Sequence, residues 1–174
     1  MAISELVLYV GRITRAKGVG ALCEAVPIVR ERWVSDVRFI FAGQEKDTFD
    51  WPEGAEYVGL LPEAELIPLY KQADALVIPS IWPEAFPRAG LDAITYGPRI
   101  VGADNGGIRD ILREAHGVSF DPEDIMDVAA AIIVALRMGR PGGYSLPAVF
   151  REHTTRRQLI SLYASLREGD SLCE

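Results

Sequence analysis

Residues 75–107, ALVIPSIWPEAFPRAGLDAITYGPRIVGADNGG, carry two carboxylates eight positions apart, Glu84 and Asp92. The stretch reads as strand, loop, helix, strand and Gly-Gly turn. Glu84 falls in the loop entering the helix and Asp92 about a turn inside it. Eight residues of helix rise about 12 Å, comparable to the span from a sugar across a diphosphate to a ribose. In that chemistry Glu84 accepts from sugar hydroxyls and Asp92 from the two ribose hydroxyls. Neither role needs a shifted pKa, and Glu84 is not required as a general acid. The plainer reading is that both carboxylates cap the helix start and complement its dipole.

Two cations stand near the beginning of the chain, in GRITRAKG. Arg12 follows the first strand-like run and Lys17 opens the next helix. Two cations at a helix N-terminus make a diphosphate site, although the same residues also read as solvated loop charges, as Arg15 does. Phe86, Pro87, Arg88 and Ala89 lie between the carboxylates. The amides of Arg88 and Ala89 are expected to point out of the helix start toward a phosphate, while Pro87 has no N–H to give and suits a first turn. The Arg88 side chain reads either as a third diphosphate cation or as a solvent-facing charge. Gly106-Gly107 opens another helix, either as an amide-rich ligand contact or as a tight strand–helix connection. His116 and His153 are lone histidines without nearby nucleophiles, and His116, before a glycine in a turn, is expected at the surface. No Ser-His-Asp or Cys-His arrangement is discernible, and no His/Cys cluster has metal spacing. KGVG is not a dinucleotide fingerprint, because the full G-x-G-x-x-G after the first strand is missing.

These residues need elements to hold them, and the apolar period alternates between strand-like and helix-like along the chain. Strands are expected over 5–11, 37–43, 55–61, 75–80 and 99–104, and GVSFDP (117–122) leads into a long helix. Helices are expected over 17–33, 62–73, 85–97, 107–114, 123–138 and 147–168. Pro27 predicts a kink or an early stop in the first helix, Pro68 lies inside the second, and Gly97 reads as a C′ glycine. RPGG (140–143) is a break. Near-continuous apolar strands alternating with helices predict an α/β fold, a Rossmann-like parallel sheet flanked by helices on both faces. Ligands in such sheets bind beyond the carboxyl ends of the strands. That rule selects Gly11-Arg12, Gly43-Gln44, Gly59-Leu60, Pro79-Ser80 and Asp104 to Gly107.

The chain has 174 residues, 49% of them hydrophobic, which suits a single folded domain over 1–174. A net charge of −7 argues against broad nucleic-acid binding or anionic-membrane binding. Cys23 is expected on a buried helix face and Cys173 in the tail, with no disulfide framework. No signal-peptide pattern follows Met1, and the apolar runs fall short of the ~20 residues of a membrane span. Cytoplasmic residence is the simple expectation.

The ordered series YVGRITRAKG, FIFAG, YVGLLPEAELIPLYKQADALVIPS, PEAFPRAGLDAITYG, IVGADNGGIRDIL and GVSFDPED resembles the C-terminal, donor-binding domain of the retaining group-1 glycosyltransferases. The resemblance runs to the Tyr163 region. It implies one half of a GT-B fold, in which two Rossmann-like domains face a cleft. By resemblance, Arg12 and Lys17 match the basic pair that neutralises the leaving diphosphate. Glu84 matches the first glutamate of the family's paired-glutamate motif, on the donor sugar, and Asp92 stands in the ribose-binding place of the second. Val58 and Leu60 lie where the family holds the base. Asp92 is one methylene shorter than the usual glutamate, Pro87 replaces a usual glycine, and Asp110 replaces a frequent glutamate.

The resemblance implies a UDP-, GDP- or ADP-sugar donor and retaining transfer to an acceptor hydroxyl. It implies no metal and no other cofactor, since amides and cations do that work. Met1 leads almost directly into the first strand, so the N-terminal acceptor domain is expected to be absent. An acceptor domain or subunit would be supplied in cis or in trans. A non-catalytic sugar-nucleotide-binding module is the alternative. A sugar-nucleotide epimerase fits Glu84, Asp92 and GRITRAKG less well.

Overall fold

The computed structural model describes residues 4–34 and 36–141, all within a compact unit spanning Met1–Tyr144. The helix expected over 147–168, together with His153, Tyr163 and Cys173, lies outside the described residues.

Among the described residues six strands form one parallel sheet: β1 (Glu5–Val10), β2 (Val37–Ala42), β3 (Ala55–Gly59), β4 (Ala75–Ile78), β5 (Arg99–Ala103) and β6 (Val118–Phe120). Their order is β3-β2-β1-β4-β5-β6, with every neighbouring pair parallel. The chain winds outward from β1 to β3, then returns to the other side of β1 as β4. The sheet therefore has its switch point between β1 and β4. These two central strands are buried on both faces through Val7, Leu8, Leu76 and Val77, as their unbroken apolar runs require.

Among the described residues five α-helices cover the sheet: α1 (Val19–Arg32), α2 (Glu63–Gln72), α3 (Arg88–Tyr96), α4 (Gly106–Glu114) and α5 (Ile125–Met138). They form two packed groups, α1 with α5, and α2 with α3 and α4. The Rossmann-like α/β architecture expected from the sequence is the one observed. Cys23 is buried in α1, and burial pushes its thiol pKa up to about 11. Arg140 ties two helix ends together: its guanidinium donates to the carbonyls of Ala73, after α2, and Tyr96, at the end of α3.

Three local expectations are corrected. Of the kink or early stop expected at Pro27, the stop is not observed, since α1 runs on to Arg32. A proline there forgoes only one i→i−4 bond, and burial of Val19, Leu22, Val26 and Val29 holds the helix together across it. Lys17 does not open α1. It closes a separate 3₁₀ turn, Arg15–Lys17, capped by the Thr14 hydroxyl, and α1 begins after Gly18. Gly18 has φ of 71°, and a Cβ there would lie 1.8 Å from the Pro79 carbonyl oxygen. Only glycine lets this turn close on the end of β4. Finally, α3 begins at Arg88 rather than residue 85, with Pro87 at its N-cap. Residues 84–87 are thus loop, and helical rise does not set the Glu84–Asp92 separation.

Candidate functional site

A cavity of about 370 Å³ opens beyond the carboxyl ends of β1 and β4. Tyr9, Val10, Gly11 and Arg12 line it from the β1 side, and Ile78, Pro79 and Ser80 from the β4 side. This is the crevice that the strand reversal creates. Lys17, Glu84, Phe86, Pro87, Arg88, Ala89 and Asp92 complete the wall, with Leu66 and Tyr70 from α2. Eleven of the residues selected from the sequence therefore share one cavity: Gly11, Arg12, Lys17, Pro79, Ser80, Glu84, Phe86, Pro87, Arg88, Ala89 and Asp92.

Lys17 and Glu84 form an ion pair, Nζ to Oε2 at 2.8 Å, each side chain about one-fifth exposed (22% and 21%). The other carboxylate oxygen, Oε1, accepts from the Ser80 hydroxyl. Ser80 is 1% exposed, so this bond is shielded from water. Both oxygens of Glu84 are thereby engaged, and its carboxylate is held as a fixed acceptor. The loop that carries it is fastened from behind. Asn105 Nδ2 donates to the carbonyls of Ser80 (2.9 Å) and Ile81 (3.3 Å). Gly107 N–H donates to the Glu84 carbonyl at 2.6 Å. A Cβ on Gly107 would sit 2.3 Å from the Ala85 carbonyl oxygen, so the close approach needs glycine.

On the β1 side, the Tyr9 hydroxyl donates to the Arg12 carbonyl at 2.7 Å. Burial, and then the nearby Glu84 charge, raises the Tyr9 pKa far above that of a free phenol. The phenol stays a neutral donor and fixes the backbone from which the Arg12 side chain projects.

The start of α3 faces the same cavity, and no side chain caps it. Backbone N–H groups in the first turn of a helix have no partner within the helix, so the Arg88 and Ala89 amides are placed for an anion. Asp92 lies one turn further on. Its carboxyl is reachable by solvent from the cleft, yet the rest of its surroundings desolvate it and raise its pKa. Arg88 pulls in the opposite direction and Glu63 adds to the rise. The Tyr70 hydroxyl is buried beside Asp92, which it faces without closing a hydrogen bond of ordinary geometry. Burial and the Asp92 charge raise the Tyr70 pKa, so this phenol also remains protonated.

The remaining selected residues stand apart. Leu60, 73% exposed, lines a neighbouring apolar cavity with Gly43, Gln44 and Leu61. The two cavities share Val10, Gly11, Arg12 and Leu66. Val58 is half-buried in β3 and lines neither cavity. Gly106 and Gly107 pack behind the Glu84 loop. The Gly107 amide is spent on that loop and is not offered to a ligand, which favours the tight-connection reading of this turn. His116 is exposed in a turn at φ 47°. Among the described residues no group of His, Cys, Asp and Glu could hold a metal ion, and no helix is long and apolar enough to cross a membrane.

Sequence reasoning missed Tyr9 and Tyr70, and it selected Ser80 and Asn105 only as residues that follow strands, not for the bonds they make to the Glu84 loop. Ser80 carried a signal, since it ends a fully apolar strand at the switch point and lies four residues before Glu84. Tyr70 carried none, because Asp92, which it faces, is remote in the chain.

A family model described as "Glycosyl transferases group 1" matches residues 4–156. The chain belongs to the group 1 glycosyl transferases. An uncharacterized glycosyltransferase of Methanocaldococcus jannaschii is 31% identical to this member, over 72% of this chain and 34% of that protein. A glycogen synthase of Mycobacterium tuberculosis is 29% identical over 94% of this chain and 43% of its own length. Among solved structures, a sucrose-phosphate synthase from Thermosynechococcus elongatus superposes with a TM-score of 0.73 at 21% identity, covering 95% of this chain and 46% of that one. Anabaena HepE, solved with UDP and glucose, superposes with a TM-score of 0.63 at 19% identity, covering 75% and 38%. This group 1 glycosyl transferase chain thus has the fold of one half of a GT-B enzyme, and it spans less than half the length of each of these relatives.

Proposed function

We propose that this chain is the donor half of a retaining glycosyltransferase and binds a nucleoside-diphosphate sugar at the β1–β4 switch point. The observation that carries the reading is the convergence of Arg12, Lys17, Glu84, the uncapped start of α3 and Asp92 on one cavity. Each supplies what one part of such a donor needs. Asp92 accepts from the ribose hydroxyls, and the base lies toward the Leu60 cavity. The diphosphate lies between Arg12, Lys17 and the amides of Arg88 and Ala89. Glu84 faces the sugar.

Transfer breaks the bond between the anomeric carbon and the diphosphate oxygen, and that oxygen gains charge as the bond breaks. Fixed cations and oriented amides are already in place where the charge develops, which is how such sites lower a barrier. No metal or other cofactor enters this reading. The acceptor hydroxyl attacks from the face that the diphosphate leaves, and its binding site comes from a further domain or subunit, in cis or in trans. Residence in the cytoplasm belongs to the same proposal. HepE, a fold neighbour, has been solved with UDP-glucose, so a uridine donor is the first to try.

The test is calorimetric titration of the chain with UDP, GDP and ADP, repeated with Lys17→Ala and Asp92→Ala. One nucleotide should bind, and both substitutions should weaken it. Absence of binding by all three would sink the reading. Added chelator should leave the affinity unchanged.

A further inference from the structure

Three buried side-chain polar atoms among the described residues have no hydrogen-bond partner: Trp33 Nε1, Asn105 Oδ1 and the Tyr70 hydroxyl. Of the three residues, Tyr70 borders the β1–β4 cavity. It is 2% exposed, and its ring packs against Tyr96 at 5.9 Å between centroids. A phenylalanine would pack in the same way, so the core does not explain the hydroxyl. A buried polar group left unpaired weakens the fold. One that borders a ligand cavity is explained when binding supplies its partner.

The hydroxyl faces Asp92, which stands on α3 one turn before Tyr96. Tyr70 and Asp92 line the β1–β4 cavity together, and they also line a smaller one of about 160 Å³ with Glu63, Arg88 and Tyr96. Asp92 thus borders open space on two sides, and its carboxylate has room to turn. The phenol is the fixed member of the pair. Its ring is held by Tyr96, and α2 and α3 are tied at their ends by Arg140, which donates to the Ala73 and Tyr96 carbonyls. Burial and the Asp92 charge keep the phenol protonated, so it stays a donor.

A ribose presents two neighbouring hydroxyls, and a carboxylate takes both only when its oxygens are turned toward them. A carboxylate has about four lone-pair sites, so Asp92 can accept from both ribose hydroxyls and from one phenol. We infer that Tyr70 is a positioning residue for ribose: its hydroxyl, unpaired in the free protein, donates to Asp92 when a nucleotide binds and turns the carboxylate toward the 2′- and 3′-hydroxyls. The inference rests on the donor-binding reading and deepens it. Recognition of ribose then depends on a residue that the ligand does not touch. Asp92 is one methylene shorter than the glutamate usual in the family, so it has less reach of its own to correct a misdirected carboxylate.

The full chain, Tyr70→Phe, Asp92→Ala and the double variant are titrated calorimetrically with whichever of UDP, GDP and ADP binds, and with its 2′,3′-dideoxy form. Tyr70→Phe should weaken the ribonucleotide by about tenfold, the lower end for a hydrogen bond to a charged group, and the dideoxy form by less than about twofold. In the Asp92→Ala background the Tyr70→Phe loss should vanish, because the two side chains act as a unit. Without nucleotide, Tyr70→Phe should melt no lower than the parent, since it buries no unpaired hydroxyl. A pH series separates positioning from packing. Glu63, Arg88 and Tyr96 border Asp92 around the smaller cavity, and Arg12, Lys17 and Glu84 line the larger one; all are kept. Removing a donor that favours the carboxylate should move the acid limb of ribonucleotide affinity, referenced to the dideoxy form, to higher pH. A packing role leaves that limb in place. Equal losses for both nucleotides, a loss that persists in Asp92→Ala, a lower melting point of free Tyr70→Phe or an unmoved acid limb overturns the inference while the donor-binding reading stands. If no nucleotide binds even the parent chain, the donor-binding reading itself fails and the role of Tyr70 falls with it.

Discussion

Replacing Glu84 by Gln should tighten binding of a plain nucleoside diphosphate, a sign opposite to the usual effect of mutating a site residue. In the free protein Glu84 Oε2 sits 2.8 Å from Lys17 Nζ, so the cation that is to meet the diphosphate is already partly neutralised. A phosphate approaching Lys17 from the other side places its charge about 7 Å from the carboxylate. At that separation two unit charges repel by about 0.6 kcal/mol in water and about 2.4 kcal/mol at an effective dielectric of 20. The cleft is open to water, so the lower part of that interval applies, about 0.6–1.4 kcal/mol, or roughly three- to tenfold in affinity. Gln keeps the shape of the side chain and still accepts the bond from Ser80, so the loop should stay in place. The assay is calorimetry with the diphosphate at about 0.02 M and 0.5 M salt, where screening should shrink the gain. The sugar-bearing donor should not share the gain, because its hydroxyls lose a carboxylate acceptor. Weaker or unchanged diphosphate binding in Glu84→Gln would refute the idea that Lys17 is divided between Glu84 and phosphate.

Three further outcomes test the supports of the site. Ser80→Ala removes a shielded hydrogen bond to a carboxylate and should cost about 1–2 kcal/mol in urea unfolding, with hexose-dependent affinity falling more than diphosphate affinity. Gly107→Ala forces a methyl against the Ala85 carbonyl and should destabilise by about 1–3 kcal/mol, with a matching loss of sugar-nucleotide binding as the Glu84 loop moves. Asp92→Asn tests the sign of a raised carboxyl pKa. A group whose folded pKa lies above its unfolded value contributes stability at low pH and loses it as pH rises through the folded pKa. Asn should therefore stabilise the free protein at pH 7, the gain should vanish on acidification below the folded Asp92 pKa, and nucleotide affinity should drop. Urea titrations between pH 4 and 7 with and without nucleotide measure both effects, and a destabilised Asp92→Asn at pH 7 would contradict the burial argument.

The strands were legible at 39–42, 75–78 and 100–103 because residues buried on both faces leave a near-continuous apolar run there. The helix over 19–32 was legible as a helix, but its course past Pro27 was not. One lost backbone bond can be weighed only against the burial of Val26 and Val29, which is a tertiary quantity. The start of α3 was misplaced by three residues for a similar reason. FPRAG permits a helix start on either side of Pro87, and the fastening of the Glu84 loop from behind by Asn105 and Gly107 goes with the later one.

Arg12, Lys17, Glu84 and Asp92 could be picked from the sequence because their chemistry is displayed at strand ends and helix starts, positions that local patterns mark. The α/β fold follows from those patterns, the family was reached through the resemblance of the ordered motif series, and the place proposed for the site draws on both. Only the tertiary structure decided who neutralises whom. It paired Lys17 with Glu84 across 67 residues of chain, buried Tyr70 beside Asp92, and turned the Gly107 amide toward the Glu84 loop and away from the cleft. Local patterning reports what each segment becomes, because period and capping act over a few residues. Contacts, charge pairing and desolvation are set by how the segments pack, and in this cleft those quantities decide which charges a ligand would meet.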